Sequence, residues 1–576
     1  MNVLYVVVGA GIFFAIAYFT YGTFLDRKVF QLNDERETPA VSMEDGVDYV
    51  PAKKGMLMGQ HFSAVAAAGP INGPILAGAL FGWVPALLWV VIGSVFIGGI
   101  HDMGSLVVSI RHKAKSITEV IRINVSKRAW ILFMLFVWLA LDYVIIALTD
   151  ITASSFVGIV TLESGEKVAG GAIASSSILY LILPIIMGLC MRFLKLKEGL
   201  AVLIFLPLVG LSIWAGQYIP INLPVSDLYT AQKIWGILII AYCLIASIVP
   251  VWLLLQPRGA LGGYFMYASL FFAAIGLIFG NYSIQYPAFT NLGPDSGITS
   301  DFWFPMFPVL FITVACGACS GFHAFIASGT TSKQLARESD AKPVGYGVML
   351  LEGMFAVVSI ACLMILSQDS EMAAKAPNFI YASAMGSFME LIGIPAAFGI
   401  SFGLLAFTTF VYDTLDIMTR LGRYIFEELT GRRTWTVKLL ATLFTVGVPI
   451  YFLLQTMTDS AGNVVPAWRI FWNTFGASNQ LLGALALLGI AVWLMSTRKN
   501  SKIWLIAFIP AVVMFVLSNW ALLLGIYDGW VLGVGHPAIP VVSMVLIILS
   551  ALVAVEGVST FFKMKRPTPL SQDAGQ

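Results

Sequence analysis

Apolar blocks of about 20 residues, the length that carries a helix across a bilayer, alternate along this chain with short polar turns. They begin near Asn2, Met56, Trp83, Ala129, Gly171, Gly199, Lys233, Gly263, Phe304, Val344, Leu391, Leu439, Phe471, Ile503 and Ile539, and predict about fifteen membrane helices. No stretch between them is long enough for a separate soluble domain. Two blocks are interrupted midway. Met56 to Leu80 contains Gly69-Pro70-Ile71-Asn72-Gly73-Pro74, and Phe304 to Ser328 contains Cys316-Gly317-Ala318-Cys319-Ser320-Gly321. A break at that depth leaves backbone groups that lipid cannot satisfy, so it survives where it lines a polar cavity or a ligand. Two such segments, one in each half of a chain, mark the substrate site of a secondary transporter.

Composition supports the same class, since 59% of the residues are hydrophobic and 11% charged. Basic residues in short loops stay in the cytoplasm. With the N-terminus outside, all but four of the 33 Lys and Arg fall in inward loops, the exceptions being Lys167, Lys233, Lys375 and Arg469. The first span has no basic residue before it and Asp26-Arg27-Lys28 after it, which predicts a retained helix and not a cleaved signal. Five cysteines, all in apolar segments, give no disulfide framework. A net charge of +2 carries no indication of nucleic acid, because topology already accounts for the basic residues.

The fold expected is an all-α polytopic membrane protein with inverted repeats and two broken helices. The two breaks run in opposite directions, as inverted repeats require. Seven spans separate their starts, which leaves open a five-helix repeat with insertions or a longer unit. The chain divides into an extra helix and loop (1–55), a first half (56–303), a second half (304–500) and accessory helices with a short cytoplasmic tail (501–576).

Ionisable side chains at membrane depth are costly and mark function. His61, His101, Asp102, Asp142, His323, Glu352, Asp413 and Asp416 are of this kind. His61, His101 and His323 fall in one leaflet, where they can relay protons or, with Cys316, hold a metal. Each can equally satisfy a local backbone group. Asp413 and Asp416 share one helical face and can pair with Arg420 or Arg423 as a gate, or simply end a helix at the interface. Gly321 to Lys333 gathers hydroxyls, the imidazole of His323 and a lysine suited to an anion, although Ser328 to Lys333 can equally be a capped helix end. Cys316 and Cys319 have redox spacing but no second pair nearby, so small size is their simpler role. Gly399-Ile-Ser401-Phe-Gly403 has the spacing of a hydrolase elbow, yet it lies in an apolar helix and not on a strand-to-helix turn. The amides Asn479 and Gln480 either bind substrate or hold helices together.

Ala66-Ala-Ala-Gly-Pro-Ile-Asn-Gly-Pro74, His101-Asp102 followed by Ser109-Ile-Arg-His-Lys-Ala-Lys-Ser116, Ser320-Gly-Phe-His-Ala-Phe-Ile-Ala-Ser-Gly-Thr-Thr-Ser-Lys333 and Phe475-Gly-Ala-Ser-Asn-Gln480 resemble the carbon starvation protein A family. The match runs in order from about Asp48 to about Leu482. The resemblance implies a bacterial inner-membrane importer of the amino acid/polyamine/organocation superfamily, with a LeuT-like core, taking up short peptides or pyruvate with protons. On that reading Gly69, Pro70, Asn72, Gly73, Gly317, Ser320, Gly321 and Asn479 contact substrate. His101, Asp102, His323 and Asp413 carry coupling, by H+ in preference to Na+, with no cofactor and no nucleic-acid partner. The competing classes are a channel, for which the chain lacks a repeated filter motif, and a redox or metal sensor built on Cys316 and Cys319.

Overall fold

The computed structural model describes residues 1–46, 48–161, 167–250, 252–290, 306–432, 434–458, 463–498, 501–533 and 535–565. Thirteen helices among them are long and apolar enough to cross a membrane, and the bent pair Lys54–Ala66 and Gly69–Phe81 makes a fourteenth span. The chain is a multi-pass membrane protein. The ninth expected span begins at Phe304, outside the described residues, and its described part forms two short helices, Val309–Thr313 and His323–Gly329, with an unwound stretch between them. The end of the tail, from 566 on, also lies outside them.

Lys127–Val157, Glu338–Met364, Ala396–Thr430 and Ala467–Thr497 are buried over most of their length and form the centre of the bundle. Val3–Phe30, Gly199–Tyr218, Leu505–Trp530 and Ala538–Lys563 are mostly exposed and lie at its edge. One hairpin of strands Ile159–Thr161 and Lys167–Ala169 pairs antiparallel, with Val160 opposite Val168. The apolar pattern did not reveal Pro377–Glu390 as a separate helix, which packs with its side chains buried against Ala396–Thr430.

Local chemistry explains the helix boundaries nearest the site. Ser116 accepts the N–H of Glu119 and starts Ile117–Asn124, the N-cap bond that a serine three residues before that N–H provides. The long span Trp83–Arg111 contains a π-turn at Ser94–Gly98. Such turns displace the backbone outward and recur at functional positions. Here the turn lies against the second broken segment, since a β-carbon on Gly98 would come within 2.5 Å of the Ala318 carbonyl oxygen.

Candidate functional site: two facing breaks and a buried imidazole cluster

Helix Lys54–Ala66 ends at Ala67, whose φ of 45° and ψ of −148° a side chain disfavours. Gly69–Phe81 starts two residues later, bent by 46°. The interruption is therefore Ala67-Ala68, and Gly69 to Pro74 form the opening turns of the second half-helix. Proline explains the displacement. The Pro70 ring would clash with the Ala66 carbonyl four residues back in a continuous helix, so the helix stops before it. At the second helical position the missing N–H of Pro70 costs nothing.

The second break lies where the residue types place it. Helix Val309–Thr313 ends, nine residues follow without regular helix, and His323–Gly329 resumes. Cys316 to Gly321 sit inside that unwound stretch.

The two breaks touch. A β-carbon on Gly69 would lie 2.1 Å from Cys316 Cβ, so only glycine permits this approach. Helix Ala467–Thr497 supplies the polar partners of the second break. Asn479 Oδ1 accepts from Ser320 Oγ at 3.1 Å and from the Phe322 N–H at 3.3 Å, while its carbonyl accepts the Gly321 N–H at 3.2 Å. Gln480 donates to the Phe311 carbonyl and Trp472 Nε1 to the Thr313 carbonyl at 3.3 Å. From the π-turn, Ser94 Oγ shares its one proton between the Val90 carbonyl at 2.6 Å and the Gly317 carbonyl at 2.9 Å. Asn72 is fully buried on the other side, and neither atom of its amide has a partner.

Three of the four residues expected to couple transport meet beside the breaks. Asp102 bridges two imidazoles, with Oδ1 2.7 Å from His101 Nδ1 and Oδ2 2.8 Å from His323 Nδ1. His323 Nε2 lies 3.1 Å from the Val65 carbonyl and 3.4 Å from Glu352 Oε2. Both hydrogen-bonding neighbours of His323 are acceptors, so the geometry suits an imidazolium that donates from both nitrogens. Glu352 is buried without a hydrogen bond. Ala67, Gly69, Cys316, Ser320 and His323 line a cavity of about 20 Å³ between the breaks, room for about one water.

Other expectations are corrected. Asp413 does not join the imidazoles, and neither it nor Asp416 pairs with Arg420 or Arg423. Both carboxylates bind Arg258, at 2.5 Å from its Nε in the case of Asp413. Arg258, counted among the loop arginines by sequence, is fully buried. Arg420 donates to the Ala246 and Val249 carbonyls, and Arg423 pairs with Glu427. His61 turns Nδ1 to the Thr331 hydroxyl at 2.8 Å and makes no hydrogen bond to the other histidines. Among the described residues no group of three or more His, Cys, Asp or Glu is arranged to hold a metal. The hydroxyls of Ser328, Thr330 and Ser332 bond to carbonyls one turn back, as helix-end caps do. Cys316 and Cys319 are free thiols. Gly399 and Gly403 pack against Gly386 and Ala382 inside a helix, so the elbow spacing is a packing feature.

The family model described as "Carbon starvation protein CstA" matches residues 2–380 and 368–521. The chain belongs to the carbon starvation protein CstA family. Similar family members include the "Peptide transporter CstA" of Helicobacter pylori strain J99, 32% identical over 90% of this chain and 82% of its own length. The "Peptide transporter CstA" of Bacillus subtilis strain 168 is 31% identical over 90% of each chain. The "Pyruvate/proton symporter BtsT" of Escherichia coli K12 is 29% identical over 92% of this chain and 82% of its own. Among solved structures, a manganese transporter of Eremococcus coleocola is 14% identical with a TM-score of 0.47, over 91% of this chain and 99% of that one.

Two contributors had little signal in this CstA-family sequence. Ser94 is one small hydroxyl in an apolar span, and only the π-turn aims it at Gly317. Glu352 was visible as a lone carboxylate in an apolar run, but its approach to His323 depends on tertiary packing.

Proposed function

We propose that this chain is a secondary transporter that imports a small carboxylate-bearing solute, a short peptide or pyruvate, between its two breaks, with protons as the coupling ion. The observation that carries this reading is the direct contact of Gly69 with Cys316, which brings two unwound backbones and a buried ionic cluster to one place. The names of the relatives, peptide transporter and pyruvate/proton symporter, support the solute classes.

The helix starting at Gly69 turns the positive end of its dipole toward the gap, which favours a carboxylate. Asn72 supplies an unused amide, and Ser320 with Asn479 a polar wall. A cavity of about 20 Å³ admits neither solute, so this form is closed, and alternating access must open it to one side at a time. His323 supplies the coupling. Deprotonated, one of its ring nitrogens stops donating, and the bond to either Asp102 or Val65 is lost. A proton thereby biases the first break between two arrangements. Asp102 and His101 hold that imidazole in place. On this reading the N-terminus lies outside and the C-terminus in the cytoplasm of a bacterial inner membrane, an orientation that the distribution of lysine and arginine supports.

The test is uptake of labelled pyruvate and labelled dialanine by proteoliposomes under imposed pH and sodium gradients. Saturable accumulation driven by the pH gradient, and lost in His323→Ala, is expected for one of the two solutes. Uptake that ignores both gradients, or flux at channel rates, contradicts the reading.

A further inference from the structure

A second buried ionic cluster shares no residue with the imidazoles. Arg258 on Leu255–Phe279 reaches Asp413 and Asp416, one turn apart on Ala396–Thr430. Its guanidinium also donates to the hydroxyl of Tyr242, on Leu228–Ile248, and to the Tyr412 carbonyl at 3.2 Å. Tyr242 in turn donates to Asp416 Oδ2 at 3.0 Å. Ser63, on the first half-helix, donates to Asp413 Oδ2 at 2.6 Å.

Three of the four carboxylate oxygens are thus engaged. Asp416 Oδ1, on a residue with 0% exposure, has no partner. One guanidinium faces two carboxylates, so the cluster carries an excess negative charge in a place where an uncompensated ion is costly. The other titratable groups facing it are Cys243, Tyr180, Tyr242 and Tyr412, which bring no positive charge. Arg420, one turn past Asp416, is engaged with carbonyls, and Arg423 with Glu427. A metal cation would need several oxygen ligands, whereas a proton needs only the one free oxygen.

We propose that Asp416 is a proton-binding site, with the proton on Oδ1 and the carboxyl held by Arg258 and Tyr242, separate from the imidazole cluster. Ser63 ties this site to the first broken helix, so the charge of the cluster is felt by the element that bends at Ala67. Its place in a transport cycle rests on the function proposed above; the bound proton does not.

Infrared spectroscopy of the purified protein reads protonated carboxyl groups directly, without any solute. At neutral pH the wild type is expected to show a carboxylic-acid carbonyl band that disappears in Asp416→Asn and persists in Asp142→Asn and Glu352→Gln, which remove the other buried carboxyls without hydrogen bonds. Tyr242→Phe, which deletes one hydroxyl, is expected to move the same band without abolishing it. A folded Asp416→Asn protein that retains every such band overturns the proposal. Should that variant not fold, a Tyr242→Phe spectrum with no band moved does the same. The band in a protein that transports neither pyruvate nor dialanine leaves this site standing and removes the transport reading.

Discussion

The two breaks solve the same problem in different ways. The second leaves nine residues without regular helix and borrows its partners from neighbours: Asn479, Gln480 and Trp472 from one buried helix and Ser94 from a π-turn. The first is two residues long, set by the ring of Pro70, and its carbonyl at Val65 faces the Nε2 of His323. Amides and hydroxyls do not titrate, whereas an imidazole does so near neutral pH. On the proposed function, the long break is therefore a fixed wall, and the short one is the part that a proton would release.

That contrast makes different demands on each side. The largest effect is expected where the breaks touch. Gly69→Val places a branched side chain into Cys316 and is expected to cost about 3 kcal/mol or more, seen as lost thermal stability in detergent and no uptake. Gly69→Ala combined with Cys316→Gly, which removes the clashing atoms, is expected to recover more than Gly69→Ala alone. No recovery would mean that the contact does not set the geometry.

Asn479→Ala comes next. It leaves Ser320 and the Phe322 N–H without their acceptor, at about 1–3 kcal/mol for each orphaned group, and is expected to lower the melting temperature equally at every pH. His323→Gln is expected to act in the opposite manner, with a smaller loss of stability but a pH profile of uptake that becomes flat. If Asn479→Ala altered the pH profile and His323→Gln did not, the assignment of wall and moving part would be reversed. The smallest effect is expected of Ser94→Ala, about 1 kcal/mol from one hydrogen bond, with the pH profile unchanged.

Much of this was legible along the chain. Glycine and proline inside apolar blocks located both breaks, and lone ionisable residues at membrane depth located His101, Asp102 and His323. Ser320 and Asn479, chosen separately as polar contacts, turned out to hold each other. The exact position of the first break was not legible, because proline acts on the carbonyl four residues before it and the interruption falls on two ordinary alanines. Nor was the partner of Asp413 and Asp416. Arg420 and Arg423 are neighbours by helical spacing, yet the pair binds Arg258, which lies between Pro250 and Pro257 on one side and an apolar run on the other and so reads as a loop residue. Its burial is decided by three helices meeting, which no local pattern records.

The central claim is that solute passes between the breaks, and Cys316 reports on it without a new side chain at the site. In a variant where the other four cysteines are replaced by alanine, a small thiol reagent should label Cys316 only when the gap opens. Labelling that rises under a pH gradient and falls when the transported solute is added is the result this account predicts. Labelling of Cys316 that is indifferent to both, in a variant that still transports, would contradict it.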